Sequence, residues 1–306
     1  MPRPLCIYHK NCLDGNGSAA VVARKVPDCE FLAMQYSMTP PQVLDRVLYM
    51  VDFGLPIAHM RALKAQSSEF IWIDHHASQL PICKTLGWGV MDTTECGTSL
   101  TWKTLFPGQE PPPVIAYIKD KDLWQWKLPD SRAVSEGLTA TFPGERFAGI
   151  LEADIAAMAT LGRPLLAAKM ERVLKAAKTG LSVEAPYGMV GARALAVNTN
   201  QDQNELGDHI CTPVAAGGMG YDLAVLYYRK GTARWVHSLR SAEGGRVDCG
   251  TIAERRGGGG HPNSACYLDP VCFTASPDCP GAGVTAAGAP AAIGASPPGP
   301  RAAGPQ

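Results

Sequence analysis

The stretch FIWIDHHAS, residues 70–78, contains a short apolar run and, directly after it, an aspartate and two histidines. Uninterrupted apolar runs of this length are typical of strands buried on both faces of a parallel sheet, where ligands bind beyond the carboxyl ends of the strands. Neighbouring side chains on an extended strand point to opposite faces. We therefore predict that Asp74, His75 and His76 lie where a strand ends and point in different directions.

Similar apolar runs recur through the first 125 residues, and helical patterns follow Ser18, Pro56 and Thr98. Strands alternating with helices in this way predict an α/β fold with a parallel sheet covered on both faces. The predicted strands are residues 5–8, 31–34, 47–51, 70–73 and 88–91.

A second α/β pattern follows an amphipathic helical region. Its predicted strands are 194–198, 223–228 and 235–239, and a helix is predicted over 247–256. Alanine, glycine and proline supply 22 of the last 30 residues, a composition too poor in large apolar side chains to form a core. The predicted organisation is a catalytic domain (1–145), a helical linker (146–185), a smaller α/β domain (186–270) and a disordered tail (271–306).

The composition indicates which kinds of ligand the protein binds and where in the cell it is expected. Lysine plus arginine and aspartate plus glutamate both number 28, so the formal charge is zero, and short ligands fit better than a long polyanion. The ten cysteines show no Cys-x-x-Cys spacing, which disfavours a structural zinc site. No signal peptide and no apolar run of about 20 residues is apparent, so a soluble, cytoplasmic protein is expected.

Acidic and histidine residues occur at the predicted strand ends and at the end of the helical run PVIAYI. One aspartate after a strand is often a cap or turn residue, but four separate segments supply such groups to one expected sheet edge. Oxygen and nitrogen donors favour Mn²⁺, Mg²⁺ or Fe²⁺, and a cation would relieve the repulsion between carboxylates. The residues are His9, Asp14, Asp52, Asp74, His75, His76, Asp120 and Asp122.

Six motifs together resemble one family. HKNCLDGNGSAA, VDFG, IDHHAS and IKDKDLW occur in the order of the four motifs of the DHH phosphoesterase superfamily, and SLRS and GGGGHPNSA resemble its smaller DHHA1 domain. The resemblance covers about residues 5–268 and is closest to the nano-RNase B-like branch, which acts on oligoribonucleotides and cyclic nucleotides. It implies a DHH domain, a DHHA1 domain and an active site in the cleft between them.

The resemblance also implies roles for single residues. His76 would face the scissile phosphate, and Asp74 would orient a ligand. One or two manganese ions are expected, with magnesium as the alternative. Between Asp120 and Asp122, we favour Asp120 as the direct ligand. The implied metal ligands are His9, Asp14, Asp52, His75 and Asp120, with Cys12 and Asp122 as further candidates.

Cys12 departs from the family pattern. In many members the first motif carries two aspartates two residues apart, each holding one of two metals, and here Cys12 takes the earlier position. A thiolate is a softer ligand than a carboxylate. Cys12 is therefore expected either to bind one ion itself or to leave that metal position weak.

The second domain is expected to bind the substrate. A run of glycines lets backbone N–H groups approach an anion closely, and arginine suits bidentate phosphate recognition. The two tryptophans after the fourth motif, Trp124 and Trp126, are candidates for base stacking but are expected to form core or cleft wall. The candidate substrate-binding residues are Arg240, Gly258, Gly259, Gly260, His261 and Asn263.

The predicted function is metal-dependent phosphodiester hydrolysis by a metal-activated water, on short oligoribonucleotides or cyclic nucleotides. A phosphomonoesterase or exopolyphosphatase is the alternative within enzymes. A nucleotide-binding protein weakened in catalysis is the alternative outside them, motivated by Cys12. The expected partner is a short nucleotide and not a membrane, and a homodimer is left open.

Overall fold

Five strands form a fully parallel sheet in the first half of the chain, as the apolar runs predicted. The computed structural model describes residues 2–36 and 38–280. The strands are β1 (Leu5–His9), β2 (Glu30–Met34), β3 (Val47–Val51), β4 (Glu69–Asp74) and β5 (Val90–Met91). Their order is β2-β1-β3-β4-β5, which places β1, β3 and β4 side by side in the middle of the sheet.

Strand β1 is buried on both faces, which explains its uninterrupted apolar sequence. Leu5 and Ile7 belong to one core cluster, whereas Cys6 and Tyr8 belong to another. This alternation follows from the two-residue period of a strand. Helices cover the sheet: α1 (Leu13–Lys25), α2 (Ile57–Gln66), α3 (Leu80–Leu86) and α4 (Gly97–Leu105).

Helix α1 begins at Leu13, six residues before the predicted start after Ser18. Cys12 is its extended N-cap residue. A Cβ atom at Gly15 would lie 2.2 Å from the carbonyl oxygen of His9. Close packing therefore requires glycine at position 15. Because glycine is unfavourable in helix interiors, the sequence pattern did not indicate a helix in this first turn.

The helical region after the sheet packs into the first unit. It comprises α5 (Pro113–Asp122), α6 (Ser131–Thr141) and α7 (Ile155–Ala177). A Cβ at Gly162 of α7 would lie 1.7 Å from the carbonyl oxygen of Ala133 on α6, so the two backbones are in close contact. The chain divides into two compact units between Lys178 and Thr179. Most of the segment predicted as a linker (146–185) thus belongs to the first unit.

The second, smaller unit contains a mixed six-stranded sheet, in agreement with the predicted second α/β pattern. Its order is β10-β11-β9-β8-β7-β6, and β7 and β8 are its parallel pair. Two helices, α8 (Gln203–Cys211) and α9 (Cys249–Glu254), accompany it. The strands are β6 (Leu181–Glu184), β7 (Arg193–Asn198), β8 (Leu223–Lys230), β9 (Arg234–Arg240), β10 (Gly259–His261) and β11 (Ser264–Asp269).

The ordered chain extends past residue 270, where the disordered tail was expected to begin. Phe273 is fully buried and Cys279 nearly so, and both belong to the core of the second unit. The predicted tail began too early, because residues 271–280 include Phe273 and Cys279, which pack into this core. Residues 281–306, the remainder of the predicted tail, lie outside the described residues. Among the described helices, none has the length and hydropathy to cross a membrane.

Candidate metal centre

The carboxyl ends of three adjacent strands bring the first site residues together. His9 is the last residue of β1, Asp52 follows β3, and Asp74 ends β4. The register pairs Tyr8 with Val51, and Val51 in turn with Ile73, so the three strands end at one level. Parallel strands in register therefore present these side chains at one sheet edge, as the sequence predicted.

Asp52 divides its two carboxylate oxygens between two neighbours. Oδ1 lies 3.1 Å from Nε2 of His75, and Oδ2 lies 3.8 Å from Nδ1 of His9. The residue adopts a left-handed backbone (φ 52°), which aspartate tolerates better than most side chains, and its N–H donates to the carbonyl of Ile73. Asp52 is almost completely buried, yet Oδ2 accepts no hydrogen bond. A buried oxygen without a donor is costly, and a cation would compensate it.

Asp14 is held by the N-terminus of α4. Its carboxylate accepts hydrogen bonds from the backbone N–H groups of Gly97 (2.5 Å) and Thr98 (2.8 Å). Burial raises its pKa, but the neighbouring His75 and the hydrogen bonds from Thr98 outweigh burial, so the pKa of Asp14 is lowered overall. The helix N-terminus also favours a negative charge. Asp14 is thus an anchored, ionised carboxylate.

Gly97 and Thr98 are functional-site residues that sequence reasoning missed. A Cβ atom at Gly97 would lie 2.5 Å from Cβ of Asp52 and 2.9 Å from Oδ2 of Asp14. Only glycine therefore allows α4 to approach both carboxylates. The available signal was the stretch CGTS (96–99), where glycine and small hydroxyl residues follow a predicted strand and open a helix.

His75 faces three carboxylates. Its Nε2 lies 3.1 Å from Asp52, 3.5 Å from Asp14 and 3.6 Å from Asp122. Burial lowers the pKa of His75, but the hydrogen bond to Asp52 and the surrounding charges raise it to about 10. Burial and the charge of Asp14 raise the pKa of Asp122 to about 6 and that of Asp52 well above its ordinary value. Too many negative charges converge here for all of them to ionise without positive compensation.

Asp120, favoured from the sequence as the direct ligand, lies outside the groups of potential metal ligands found among the described residues. The carboxylate of Asp120 accepts hydrogen bonds from the backbone N–H groups of Lys127 (2.9 Å) and Leu128 (3.3 Å) and so holds the loop after α5. Asp122 is the residue whose carboxylate joins Asp14 and His75. Two residues along a helix rotate a side chain by about 200°, so only one of these aspartates can face the site.

Asp74 organises the DHH turn. Its Oδ1 accepts hydrogen bonds from the backbone N–H groups of His75 (2.7 Å) and His76 (3.2 Å) and lies 2.6 Å from Nδ1 of His76. Burial lowers the pKa of His76, but this contact with Asp74 raises it overall. Because Asp74 engages Nδ1, Nε2 is the ring nitrogen of His76 left for another partner. The three adjacent side chains thus make different contacts, as predicted for a strand end.

Three overlapping groups of side chains have the composition of a metal site, with all ligand atoms of a group within 4.8 Å of one another. One contains His9, Cys12 and Asp52, and another contains Asp14, His75 and Asp122. The third consists of Asp52 and the DHH triplet itself. Buried atoms without hydrogen-bond partners, Oδ2 of Asp52 and of Asp74 and Nδ1 of His9, lie in these groups. Together with the crowded carboxylates, they fit one or two divalent cations.

Aromatic side chains flank the centre, and sequence reasoning overlooked two of them. The ring of Tyr36, 51% exposed, lies 5.7 Å from that of His9 and 5.0 Å from that of Phe53. Trp124 and Trp126 pack edge to face, and the guanidinium of Arg132 lies 4.5 Å from the ring centre of Trp126. The two indoles thus pack against each other and against Arg132.

In the second unit, Arg240 is held by the side-chain oxygen of Asn204 through Nε (3.2 Å) and Nη2 (2.8 Å). The backbone oxygen of Asn263 accepts a hydrogen bond from the N–H of Ser241, the residue after Arg240. His261 ends β10 and pairs with Ser264 of the neighbouring strand. Arg240 and His261 thus end the strands β9 and β10 on either side of β11, whose first residue, Ser264, follows Asn263.

The first two residues of the glycine run, which was predicted to form an anion nest, are hydrogen-bonded to the end of α9. The N–H groups of Gly257 and Gly258 donate to carbonyl oxygens at the end of α9, those of Glu254 and Ala253. Gly259 and Gly260 belong to the edge strand β10. The run has a packing reason, since a Cβ at Gly258 would lie 2.2 Å from the carbonyl oxygen of Cys266.

Comparisons with known proteins give a consistent but distant likeness. No protein-family model matches the chain. An uncharacterized protein of Acanthamoeba polyphaga mimivirus is 24% identical over 283 residues, which cover 85% of this chain and 66% of that protein. The chain thus spans about two thirds of the length of this curated relative.

Similar solved structures include DHH-domain proteins. The pGpG-specific phosphodiesterase PggH of Vibrio cholerae is 10% identical with a TM-score of 0.48 (87% of this chain, 93% of that chain). The DHH domain of a protein described as a member of a ribosomal-protein family is 14% identical with a TM-score of 0.49 (88% and 83%). RecJ of Thermus thermophilus with Mn²⁺ is 14% identical with a TM-score of 0.48, and the chain spans 49% of its length (87% of this chain).

Proposed function

We propose that this protein is a metal-dependent phosphodiesterase of the DHH type that hydrolyses short oligoribonucleotides or cyclic nucleotides. The observation that carries the proposal is the position of Asp52 between His75 on one side and His9 on the other. Its two carboxylate oxygens face residues of two different groups of potential ligands, so Asp52 would serve both groups if cations were bound.

The proposed ligands follow the two groups in the structure. His9, Cys12 and Asp52 would hold one ion, and Asp14, His75 and Asp122 the other. Asp52 also contacts His75 of the second group. Bound divalent cations supply Lewis-acid polarisation of the phosphoryl group and lower the pKa of water, so that a nucleophile exists at neutral pH.

The protein's own residues supply positioning and proton transfer. Asp14 is fixed by two backbone N–H groups, and Gly97 lets that helix end approach. Asp74 fixes the ring of His76 through Nδ1. We assign Nε2 of His76 to the phosphate, where a protonated imidazole stabilises developing charge or gives a proton to the leaving oxygen.

A nucleotide substrate is supported by the aromatic edge of the site. Tyr36 exposes half of its surface beside His9, and Phe53 contacts its ring from within the core. An exposed aromatic ring that packs against a buried one is held in place and can stack on a nucleobase. The neutral total charge favours a short chain over a long polyanion. The second unit, with Arg240 held by Asn204, is proposed to bind a further part of the substrate.

The test is a substrate panel measured with Mn²⁺: RNA from two to twenty nucleotides, cyclic mononucleotides, cyclic dinucleotides, a nucleoside monophosphate and polyphosphate. The proposal expects the highest kcat/KM on short RNA or cyclic nucleotides. An Asp52→Asn variant is the inactive control. Preference for polyphosphate or the monoester would replace phosphodiesterase by the exopolyphosphatase or phosphomonoesterase function. Tight nucleotide binding without turnover would favour the binding protein instead.

A further inference from the structure

We infer that the thiolate of Cys12 is a metal ligand. The group formed by His9, Cys12 and Asp52 then selects a thiophilic cation such as Zn²⁺. The group formed by Asp14, His75 and Asp122 takes a harder ion such as Mn²⁺. This inference rests on the proposed function, because both the inference and that function require a cation at this sheet edge. It goes further in assigning different ions to the two positions.

The geometry places sulfur in only one of these two groups. The Sγ of Cys12, a ring nitrogen of His9 and a carboxylate oxygen of Asp52 lie within 4.8 Å of one another. A second observation points to a ligand at this place: Oδ2 of the buried Asp52 accepts no hydrogen bond, and Nδ1 of His9 has no partner either. The group thus combines a sulfur, an unpaired nitrogen and an unpaired oxygen.

A comparison with Cys96 shows that Cys12 has no capping role. Both cysteines are N-cap residues, of α4 and α1 respectively. The sulfur of Cys96 accepts the N–H of Ser99 in a capping box, whereas the side chain of Cys12 makes no capping hydrogen bond. Serine, threonine, aspartate and asparagine are the preferred N-cap residues, so capping gives no reason for a cysteine at position 12. Each of the ten cysteines is a free thiol, so a disulfide does not explain Cys12 either.

The donor sets then decide the ion preference. Thiolate and imidazole are ligands favoured by Zn²⁺, while carboxylates suit Mn²⁺ and Mg²⁺. The group with Asp14 and Asp122 offers two carboxylates and one imidazole and no sulfur. A shared Asp52 would join a sulfur-containing position to an oxygen-rich one, which makes a mixed-metal centre the expected resting form.

The test uses metal-free full-length protein titrated with CoCl₂, because Co²⁺ bound to a thiolate gives a near-ultraviolet charge-transfer band. We expect the band in the wild type and in the control Cys266→Ser, which removes an exposed thiol of the second unit. Cys12→Ser should abolish the band and weaken Zn²⁺ binding at least roughly tenfold. Even the loss of a residue that only hydrogen-bonds to a metal ligand lowers metal affinity by that factor. Mn²⁺ binding at the other position should change little. A band retained in Cys12→Ser, or absent from the wild type, overturns the inference.

A second measurement needs no variant at position 12. Zn²⁺ should slow the alkylation of Cys12 by iodoacetamide in the wild type but leave that of Cys266 unchanged, as read by peptide mass spectrometry. Equal alkylation of Cys12 with and without Zn²⁺ would contradict thiolate ligation. Both readouts are independent of hydrolysis. A Cys12-dependent band without turnover therefore refutes the proposed function alone, and turnover without the band refutes this inference alone.

Discussion

Oδ2 of Asp122 lies 3.6 Å from Nε2 of His75 at the carboxyl edge of the parallel sheet. Asp120, two residues earlier on the same helix, instead binds the backbone of Lys127 and Leu128. Two aspartates in one motif thus have separate tasks, one at the centre and one in the loop that follows the helix.

Asp122→Asn should therefore lose metal binding while the fold persists. Removing a charged ligand is expected to weaken the affinity for Mn²⁺ at least roughly tenfold and to lower kcat/KM correspondingly. Isothermal titration with MnCl₂ and urea unfolding measure the two properties separately.

Asp120→Asn is the matched variant with the opposite expectation. It weakens hydrogen bonds to a buried carboxylate, so the free energy of unfolding should fall by about 1–3 kcal/mol, with the Mn²⁺ affinity of the folded protein near that of the wild type. If Asp120→Asn abolished metal binding in a stable protein, the assignment of the two aspartates would be reversed.

Gly97→Ala tests the close approach of α4 to the centre. The added Cβ would collide with Asp52 and Asp14, so activity and Mn²⁺ affinity should both fall at least roughly tenfold. Gly108→Asn is the control, because Gly108 is left-handed with open space around it and asparagine tolerates that backbone. Equal metal affinity in Gly97→Ala and the wild type would show that the centre does not depend on this contact.

His76→Ala should impair catalysis and spare metal binding. A general acid or charge stabiliser contributes roughly 10²–10⁴-fold to rate, so kcat should fall within that range while the Mn²⁺ stoichiometry stays unchanged. His75→Ala, by contrast, should lose an ion. A loss of bound metal in His76→Ala would make His76 a ligand.

Tyr36→Ala should weaken binding of nucleotide substrates. Stacking of a base on an aromatic ring is worth about 1–3 kcal/mol, which corresponds to an increase in KM of roughly 5- to 150-fold. Tyr36→Phe keeps the ring and should behave as the wild type. An abasic dinucleotide should be insensitive to Tyr36→Ala, and equal losses on both substrates would rule out stacking.

The second unit should lose stability in mild acid through His237. This side chain is almost completely buried beside Tyr267, both of its nitrogens lack hydrogen-bond partners, and burial lowers its pKa to about 4. The unfolded chain binds a proton near its ordinary pKa of about 6.5, so stability present above that pH is lost between about pH 6.5 and pH 4. At 1.36 kcal/mol per pKa unit, the loss is at most about 3 kcal/mol.

The measurement is urea unfolding from pH 7 to pH 4 for the wild type, His237→Gln and the control His59→Gln. His59 is exposed, so its replacement should leave the pH dependence unchanged. His237→Gln should flatten the curve in this window, and a slope equal to that of the wild type would exclude His237 as its source.

The sequence predicted those parts of the site that follow from strand ends. Buried parallel strands read as uninterrupted apolar runs, so the positions of His9, Asp52 and His75 could be deduced from where the runs stop. The choice between Asp120 and Asp122 could not be made from the sequence, because near a helix end the direction of a side chain changes by about 100° per residue. An uncertainty of one or two residues at a helix end is then enough to exchange the aspartates.

Other features depend on contacts between distant segments. The stretch CGTS (96–99) indicates a helix start, but it does not indicate that α4 approaches Asp14, since 83 residues separate Gly97 from Asp14. The glycines after Arg256 were interpreted as an anion nest because glycine is common in such loops, whereas close contact with Cys266 explains Gly258. Phe273 lies just before the last 30 residues, whose small side chains predicted disorder. It packs into the core of the second unit, so residues 271–280 belong to that unit.

The most direct test of the central claim is hydrolysis of bis(p-nitrophenyl) phosphate by protein treated with EDTA and then supplied with Mn²⁺. The wild type should be inactive after chelation and recover activity with the metal, and Asp52→Asn should remain inactive at every Mn²⁺ concentration. Hydrolysis that persists in EDTA, or an Asp52→Asn variant as active as the wild type, would contradict a metal centre bridged by Asp52.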